Sequence, residues 1–191
     1  MAKAPWETNW TPDVERFAFI FEHLQTSELA IMTEDIALPT GYALEVGWRG
    51  DKTPEIWANL ILDTFGESAA SFWTADKFTA SFASKEGQFD RDAGLFFITC
   101  SGEVVGSAFA WLDLIPSASQ PVRNGRVHFV CVKEAHRRRG LAKALVQCVL
   151  RYHRSQGRQA ATLRTEAFRE NAIALYESLG FRKCSMDVLV G

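Results

Sequence analysis

Apolar residues recur along this chain at two spacings, and each spacing predicts one type of element. Spacings of three and four residues place apolar side chains on one face of a helix. Thr11-Pro12 and Thr53-Pro54 are typical helix starts, because a proline at the first helical position lacks only an N–H that has no partner there. On the first predicted helix the apolar face consists of Val14, Phe17, Phe21 and Leu24. Further helices are predicted from Thr53 onward and over residues 74–85, 139–156 and 171–179.

Shorter apolar stretches rich in β-branched and aromatic residues predict strands. The stretches 94–100 and 104–114 flank Ser101-Gly102-Glu103, which favours a tight hairpin, and residues 116–125 form a polar loop. Further strands are predicted over residues 29–33, 42–48, 127–132, 160–165 and 181–190. Helices come first, then the hairpin, then strand–helix–strand–helix–strand. This order predicts an α/β (α+β) protein built around a mixed sheet.

Length and composition indicate one globular domain. The chain has 191 residues without a repeat or a low-complexity linker, which is enough for one hydrophobic core. Hydrophobic residues make up 47% and charged residues 23%, and these proportions exclude a largely disordered or fibrous chain. We predict a single domain over 1–191, with an N-terminal helical addition over 1–40 and the core over 42–190.

Global features point to a cytoplasmic protein. The formal net charge is -2, which predicts neither a nucleic-acid nor a membrane partner. No apolar run reaches the roughly 18–20 residues of a membrane span, and the first residues do not resemble a signal peptide. The four cysteines are widely spaced in apolar stretches, so we expect reduced core residues and no metal site.

Positive charge is concentrated in one segment. Residues 135–165 contain no Asp or Glu and carry a formal charge of +8. The basic residues of this segment are Arg137, Arg138, Arg139, Lys143, Arg151, Arg154, Arg158 and Arg164. A solvated helix face would explain such a run. A site for a polyanion is the sharper interpretation, because three arginines adjoin a glycine where a helix begins.

The junction between strand 127–132 and the following helix is the segment most informative about chemistry. The strand ends, a short basic loop follows, and the helix begins at Gly140. A helix start presents unpaired backbone N–H groups at the positive end of the helix dipole. Gly140 and Ala142 leave room for a ligand to approach the backbone, so the junction suits a pyrophosphate. Neither a P-loop nor a dinucleotide-binding glycine pattern occurs.

Two motifs resemble those of the GNAT superfamily of acyl-CoA-dependent N-acetyltransferases. Arg137-x-x-Gly140-x-Ala142, after Val130-x-Val132, resembles the family's acyl-CoA-binding signature. Downstream, the segment 171–181 resembles the second motif, in which a helix carrying a tyrosine, here Tyr176, ends in Leu-Gly-Phe. The resemblance is clear over 94–181 and extends back to residue 42, but it does not cover the first 40 residues.

The resemblance implies a fold, a donor and a mechanism. The implied fold is a central, mixed and mostly antiparallel sheet flanked by helices, in which strands 127–132 and 160–165 splay apart around acetyl-CoA. An amine would attack the acetyl group directly, and Tyr176 would protonate the departing thiolate. The implied acetyl-CoA-binding residues are Val130, Cys131, Val132, Arg137, Arg138, Arg139, Gly140, Leu141, Ala142, Lys143 and Asn171. Arg169 stands where the family more often has the CoA-contacting asparagine.

The proton acceptor is open between several residues. His128 has the same strand parity as Val130 and Val132, which would point it toward the reacting centre as a base. A histidine packed in the core or on the sheet surface is the more common case. Glu166 and Asp113 are comparable candidates for the base. Tyr176 could likewise be a core residue of its helix.

The acceptor and the partners are open as well. We expect a small-molecule or peptide amine, and we expect tryptophans such as Trp6, Trp10, Trp48 and Trp73 to line an acceptor pocket or a homodimer interface. A non-catalytic acyl-CoA-binding or sensing domain is the alternative, since it would keep the Arg137–Ala142 loop without needing Tyr176. A nucleic-acid-binding helix is a third hypothesis, which the net charge disfavours.

Overall fold

The computed structural model describes residues 16–21, 36–80, 89–114 and 123–184. The strands are β1 (Arg16–Phe21), β2 (Tyr42–Val46), β3 (Leu95–Cys100), β4 (Glu103–Leu114), β5 (Arg123–Val132), β6 (Ala161–Glu166) and β7 (Arg182–Cys184). The α-helices are α1 (Thr53–Phe65), α2 (Glu67–Phe72), α3 (Ala75–Phe78), α4 (Leu141–Ser155) and α5 (Glu170–Ser178). A short 3-10 helix (Glu134–His136) precedes α4.

All seven strands belong to one sheet, in the order β2-β3-β4-β5-β6-β1-β7. Neighbouring strands are antiparallel except β5 and β6, which are parallel. The predicted mixed, mostly antiparallel sheet flanked by helices is therefore confirmed. The single parallel pair follows from α4, because a helical crossover returns the chain in the same direction.

Helices cover both faces of the sheet. Alternate residues of β3 enter two different apolar clusters, since side chains of a strand alternate between its faces. Phe96 and Ile98 join a cluster with the apolar face of α4, and Leu95 and Phe97 join one with Trp57 of α1. The two clusters hold β5 between them.

Most of the predicted elements are confirmed, with shifted ends. Thr53 orders the start of α1, because its hydroxyl accepts from Arg49 N (2.7 Å) and donates to Gly50 O (2.9 Å). Strand β5 begins at Arg123, so the predicted loop over 116–125 is wrong for its last three residues. The helix predicted over 74–85 is described only to residue 80. The strand predicted over 29–33 and residues 185–190 lie outside the described residues.

The predicted N-terminal helix is wrong where the structure describes it. Residues Arg16–Phe21 form β1, which lies between β6 and β7 and pairs with both. The sequence Phe17-Ala18-Phe19-Ile20-Phe21 fits alternation as well as it fits helical spacing. Tertiary pairing therefore decides between the two, because local propensity is weak beside the hydrogen bonds and burial of an inner strand. Val14 and Leu24 lie outside the described residues.

Candidate functional site

Strands β5 and β6 separate after a short contact. Their parallel pairing consists of Gly125 opposite Ala161 and Arg126 opposite Thr162. From residue 127 onward β5 pairs only with β4 within the described residues, while β6 continues beside β1. One side of the β5 backbone is therefore left open toward β6, as the splayed strands of the sequence prediction require.

A bulge interrupts β5 inside this opening. Ser107 of β4 opposes Cys131, and Phe109 opposes His128, so β5 has one residue more than β4 between these pairs. Phe129 has a φ of 48°, a left-handed backbone that aromatic residues rarely adopt. Bulges bend a strand and re-aim its side chains, and this one lies where β5 turns away from β6.

The start of α4 has the geometry that suits an anion. Gly140 has a φ of 80° and precedes the helix, and Arg138 is also left-handed with a φ of 62°. The first helical hydrogen bond runs from Ala144 N to Gly140 O, so the amides of 141–143 precede the repeating pattern. A Cβ built on Gly140 would meet no atom within 4 Å. Arg138, Arg139 and Lys143 are exposed around this open backbone, whereas Leu141 is buried beneath it.

Arg137 connects the same loop to α1. Its Nε donates to Val132 O (3.0 Å), and its Nη2 donates to Thr64 O (3.3 Å) near the end of α1. Lys133, one residue after β5, pairs with Asp63 at 2.6 Å. Two cations therefore fasten the loop to the end of α1. Arg137, which was predicted to bind the donor, thus links the loop to α1 in the described structure.

Tyr176 lies in the apolar core with its ring between two phenylalanines. Its side chain is 7% exposed. The ring centroids of Phe19 in β1 and Phe181 before β7 lie 6.4 and 6.0 Å from its own. The predicted acid is thus packed between a ring of β1 and a ring of the residue that precedes β7.

The surroundings of Tyr176 keep its hydroxyl protonated. Burial raises the pKa of Tyr176 to about 12; the positive charge of Arg169 opposes this rise, and Glu166 and Cys131 add to it. Cys131 belongs to β5 and Glu166 to β6, so the hydroxyl lies within electrostatic reach of both diverging strands.

A charge pair that sequence reasoning did not identify lies beside Tyr176. Arg169 Nε bonds to Glu166 Oε2 at 2.5 Å, and the Glu166 side chain is only 12% exposed. The Arg169 guanidinium also lies 4.8 Å from the ring centroid of Phe65 at the end of α1. Glu166 and Arg169 are three residues apart in the sequence, but the segment between a strand and a helix has no periodicity from which their pairing could be inferred.

His128 is not oriented as its parity predicted. The extra residue of the bulge reverses the alternation, so His128 and Val130 lie on opposite faces of β5. The His128 ring lies 4.1 Å from the Phe129 ring and 6.3 Å from the Trp111 ring, between centroids. Val130 instead packs against the cluster that contains Tyr176. The parity argument is therefore wrong, although the role of base stays a prediction.

The protonation of His128 follows from its position. Burial, and then the charges of Arg126 and Arg164, lower the pKa of His128 to about 3. The ring is consequently neutral near pH 7. It can accept a proton but holds one weakly.

The other residues predicted to act at the site differ in their burial and contacts. Burial raises the pKa of the Cys131 thiol to about 11, and its Sγ lies 3.3 Å from Ser107 Oγ, as expected of a core cysteine. Asn171 is exposed in the first turn of α5. His136, expected to meet solvent or phosphate, is half-buried and bonded through Nδ1 to the Tyr42 hydroxyl (2.9 Å).

Two tryptophans named as candidates for an acceptor pocket or dimer interface are described. Trp73 is buried in the cluster of α1, and Trp48 is half-buried with its ring 5.3 Å from that of Phe78. Trp6 and Trp10 lie outside the described residues, as does the Asp113 side chain. Core packing is thus the observed role of Trp73.

Within the described ranges, no three His, Cys, Asp or Glu side chains are grouped so that they could hold a metal ion. No helix there combines the length and the apolar character that crossing a membrane requires.

Comparison with known proteins identifies the family. The sequence profile of the Acetyltransferase (GNAT) family matches residues 57–181, and the chain belongs to this family. It is 30% identical over 158 residues to the mycothiol acetyltransferase of Paenarthrobacter aurescens, covering 82% of this chain and 47% of that protein. It is 36% identical over 108 residues to human N-acetyltransferase 8, covering 55% of this chain and 43% of that protein. The chain therefore spans about half the length of these relatives.

A solved structure agrees on the fold. The aminoglycoside N-acetyltransferase AAC(6')-Iy in complex with CoA superposes with a TM-score of 0.59 at 17% sequence identity. The match covers 78% of this chain and 94% of that one. The GNAT fold expected from the two motifs is thereby confirmed.

Proposed function

We propose that this chain transfers an acetyl group from acetyl-CoA to an amine. The observation that carries the proposal is the end of β5–β6 pairing after Arg126 and Thr162, which leaves β5 backbone open beside Tyr176. Membership of the GNAT family supports the donor. When bound, acetyl-CoA supplies an acetyl group activated as a thioester.

The residues present fit this donor. Backbone groups of Val130, Cys131 and Val132 would bind the pantetheine arm along the open side of β5. The amides around Gly140, with exposed Arg138, Arg139 and Lys143, would bind the pyrophosphate. The open space around Gly140 supports this fit, because phosphate oxygens must approach the backbone closely. Asn171 is exposed on α5 and would add a polar contact.

Tyr176 would supply the proton that the sulfur requires. As the amine nitrogen bonds to the acetyl carbon, the carbon–sulfur bond would break and the Tyr176 hydroxyl would give its proton to the sulfur. The amine proton would pass to a base, and the Tyr176 phenolate would regain a proton from solvent. Glu166 and His128 are the candidates for that base, directly or through water. The phenol is protonated across the neutral range, as a proton donor must be, and it would be so at its ordinary pKa as well.

The acceptor class we favour is a small molecule carrying a primary amine. The names of the mycothiol and aminoglycoside acetyltransferases support a small acceptor. A peptide N-terminus is the second candidate, which the name of a structural neighbour supports: the ribosomal-protein-S18-alanine N-acetyltransferase from Escherichia coli.

Calorimetric titration with acetyl-CoA tests the donor site, with ATP as a control ligand. Gly140→Val should weaken binding about 10-fold or more, because its side chain fills the space that phosphate would occupy. Gly157→Val is the matched control. Gly157 lies just beyond the other end of α4, has a φ of 70° and is equally open, so backbone strain is similar. Equal affinities of the two variants would contradict the proposed site.

A further inference from the structure

β1, the first strand along the chain, lies next to the helix that carries Tyr176. β1 pairs antiparallel with β6 from Arg16 opposite Glu166 to Phe21 opposite Ala161. On its other side β1 pairs with β7, the strand that follows α5. β1 is therefore an inner strand between the two strands that α5 connects, although it lies outside residues 57–181 of the family match.

The side chain of Phe19 in β1 reaches Tyr176. Phe19 is fully buried, and its ring lies 6.4 Å from the Tyr176 ring, between centroids, at an interplanar angle of 52°. The second ring on Tyr176 is that of Phe181, 6.0 Å away at 63°. Tilted aromatic contacts at these distances are favourable and directional, so the two phenylalanines determine where the phenol ring points.

We propose that Phe19 is a positioning residue for the proton-donating hydroxyl of Tyr176. This inference rests on the proposed function, in which Tyr176 is the acid. A general acid must lie within hydrogen-bond reach of the atom it protonates, so the ring that orients it affects the rate of the chemical step. Phe19 belongs neither to α4 nor to the donor loop, although it shares a core cluster with the apolar face of α4. Its replacement should leave acetyl-CoA binding unchanged.

Replacing Phe19 by leucine removes the ring and keeps an apolar side chain. We expect kcat to fall about 10-fold with the KM for acetyl-CoA unchanged, because displacements near 1 Å have effects of this order or larger. Phe96→Leu is the matched control. Phe96 is 6% exposed in the same cluster, and its ring lies 6.4 Å from the ring of Tyr152, not from Tyr176. The chemical change and the lost packing are thus alike.

Both variants are measured in the wild-type and Tyr176→Phe backgrounds. The assay follows CoA thiol release from acetyl-CoA with spermidine, kanamycin or a peptide with N-terminal alanine, whichever the wild type acetylates fastest. If Phe19 acts through the hydroxyl, Phe19→Leu lowers kcat in the wild-type background and has less than about a twofold effect without it. Phe96→Leu should have less than about a twofold effect in either background.

The outcomes separate the two proposals. An equal loss from Phe19→Leu in both backgrounds overturns the positioning role and leaves the acid role intact. Undiminished turnover of Tyr176→Phe overturns the acid role and the positioning role together. If Phe19→Leu does not fold, the Phe19→Met and Phe96→Met pair gives the same comparison, because methionine adapts to irregular apolar space.

Discussion

Protonation of His153 should destabilise the protein at the point where the site opens. The ring is fully buried on α4, and its Nε2 lies 3.1 Å from the carbonyl oxygen of Arg126. A carbonyl only accepts, so the neutral ring carries its proton on Nε2. Arg126 is the last residue of β5 that pairs with β6. His153 therefore supports the sheet directly below the opening.

The size of the effect follows from the shift in the pKa of His153. Burial lowers this pKa from 6.5 to about 4, although the hydrogen bond to Arg126 opposes the shift. Between these values the unfolded chain binds a proton that the native ring does not. The free energy of unfolding therefore falls as the pH falls below 6.5, and it is unaffected above 6.5. The slope is about 1.4 kcal/mol per pH unit, which amounts to about 2 kcal/mol between pH 7 and pH 5.

Urea unfolding followed by tryptophan fluorescence at pH 7 and pH 5 measures this effect. The free energy of unfolding of the wild type should fall by about 2 kcal/mol more than that of His153→Gln over this interval. Titration of His128 occurs in both proteins and cancels in the comparison. His136→Gln is the control, because that ring is only half-buried and bonds the Tyr42 hydroxyl instead of the β5 backbone. If the free energy of unfolding falls equally in the wild type and in His153→Gln, His153 is not the group whose protonation destabilises the protein.

Two further predictions concern the supports of the site. An alanine Cβ at Gly125 would lie 2.3 Å from the His153 ring, so Gly125→Ala should cost about 1–3 kcal/mol by thermal unfolding. In a His153→Ala background the same change should cost under about 0.5 kcal/mol, and an equal cost in both would contradict the clash. Arg137→Gln removes the bonds to Val132 O and Thr64 O and should cost about 1–2 kcal/mol in urea unfolding. Unchanged stability of Arg137→Gln would show that this link to α1 is not needed.

Local patterns predicted most helices, the hairpin and the donor loop. The apolar face of α4 and the glycine at its start can each be recognised from a few consecutive residues. β1 was mispredicted because alternation and helical spacing coexist around Phe19, and only its place between β6 and β7 decides between them. The orientation of His128 was mispredicted because one extra residue at Phe129 reverses the side-chain alternation of β5. The residue types around Phe129 do not indicate a bulge.

Contacts between distant segments were beyond sequence reasoning for a related reason. The packing of Phe19 on Tyr176 joins residues far apart in the chain, and so does the bond from Arg137 to Thr64. Neither contact has a periodic signal, because both depend on the order of strands in the completed sheet. Local motifs were therefore more predictable than the long-range contacts that join them.

The most direct measurement is the turnover of acetyl-CoA by the wild type and by Tyr176→Phe with the same panel of amines. We predict thiol release with at least one amine and a kcat about 100-fold lower in Tyr176→Phe, since a general acid typically contributes that much or more. Calorimetric affinity for acetyl-CoA should stay within about threefold, because the hydroxyl acts on the departing sulfur. Equal kcat values would contradict the acid role. Binding of acetyl-CoA without turnover of any amine would favour a sensing domain instead.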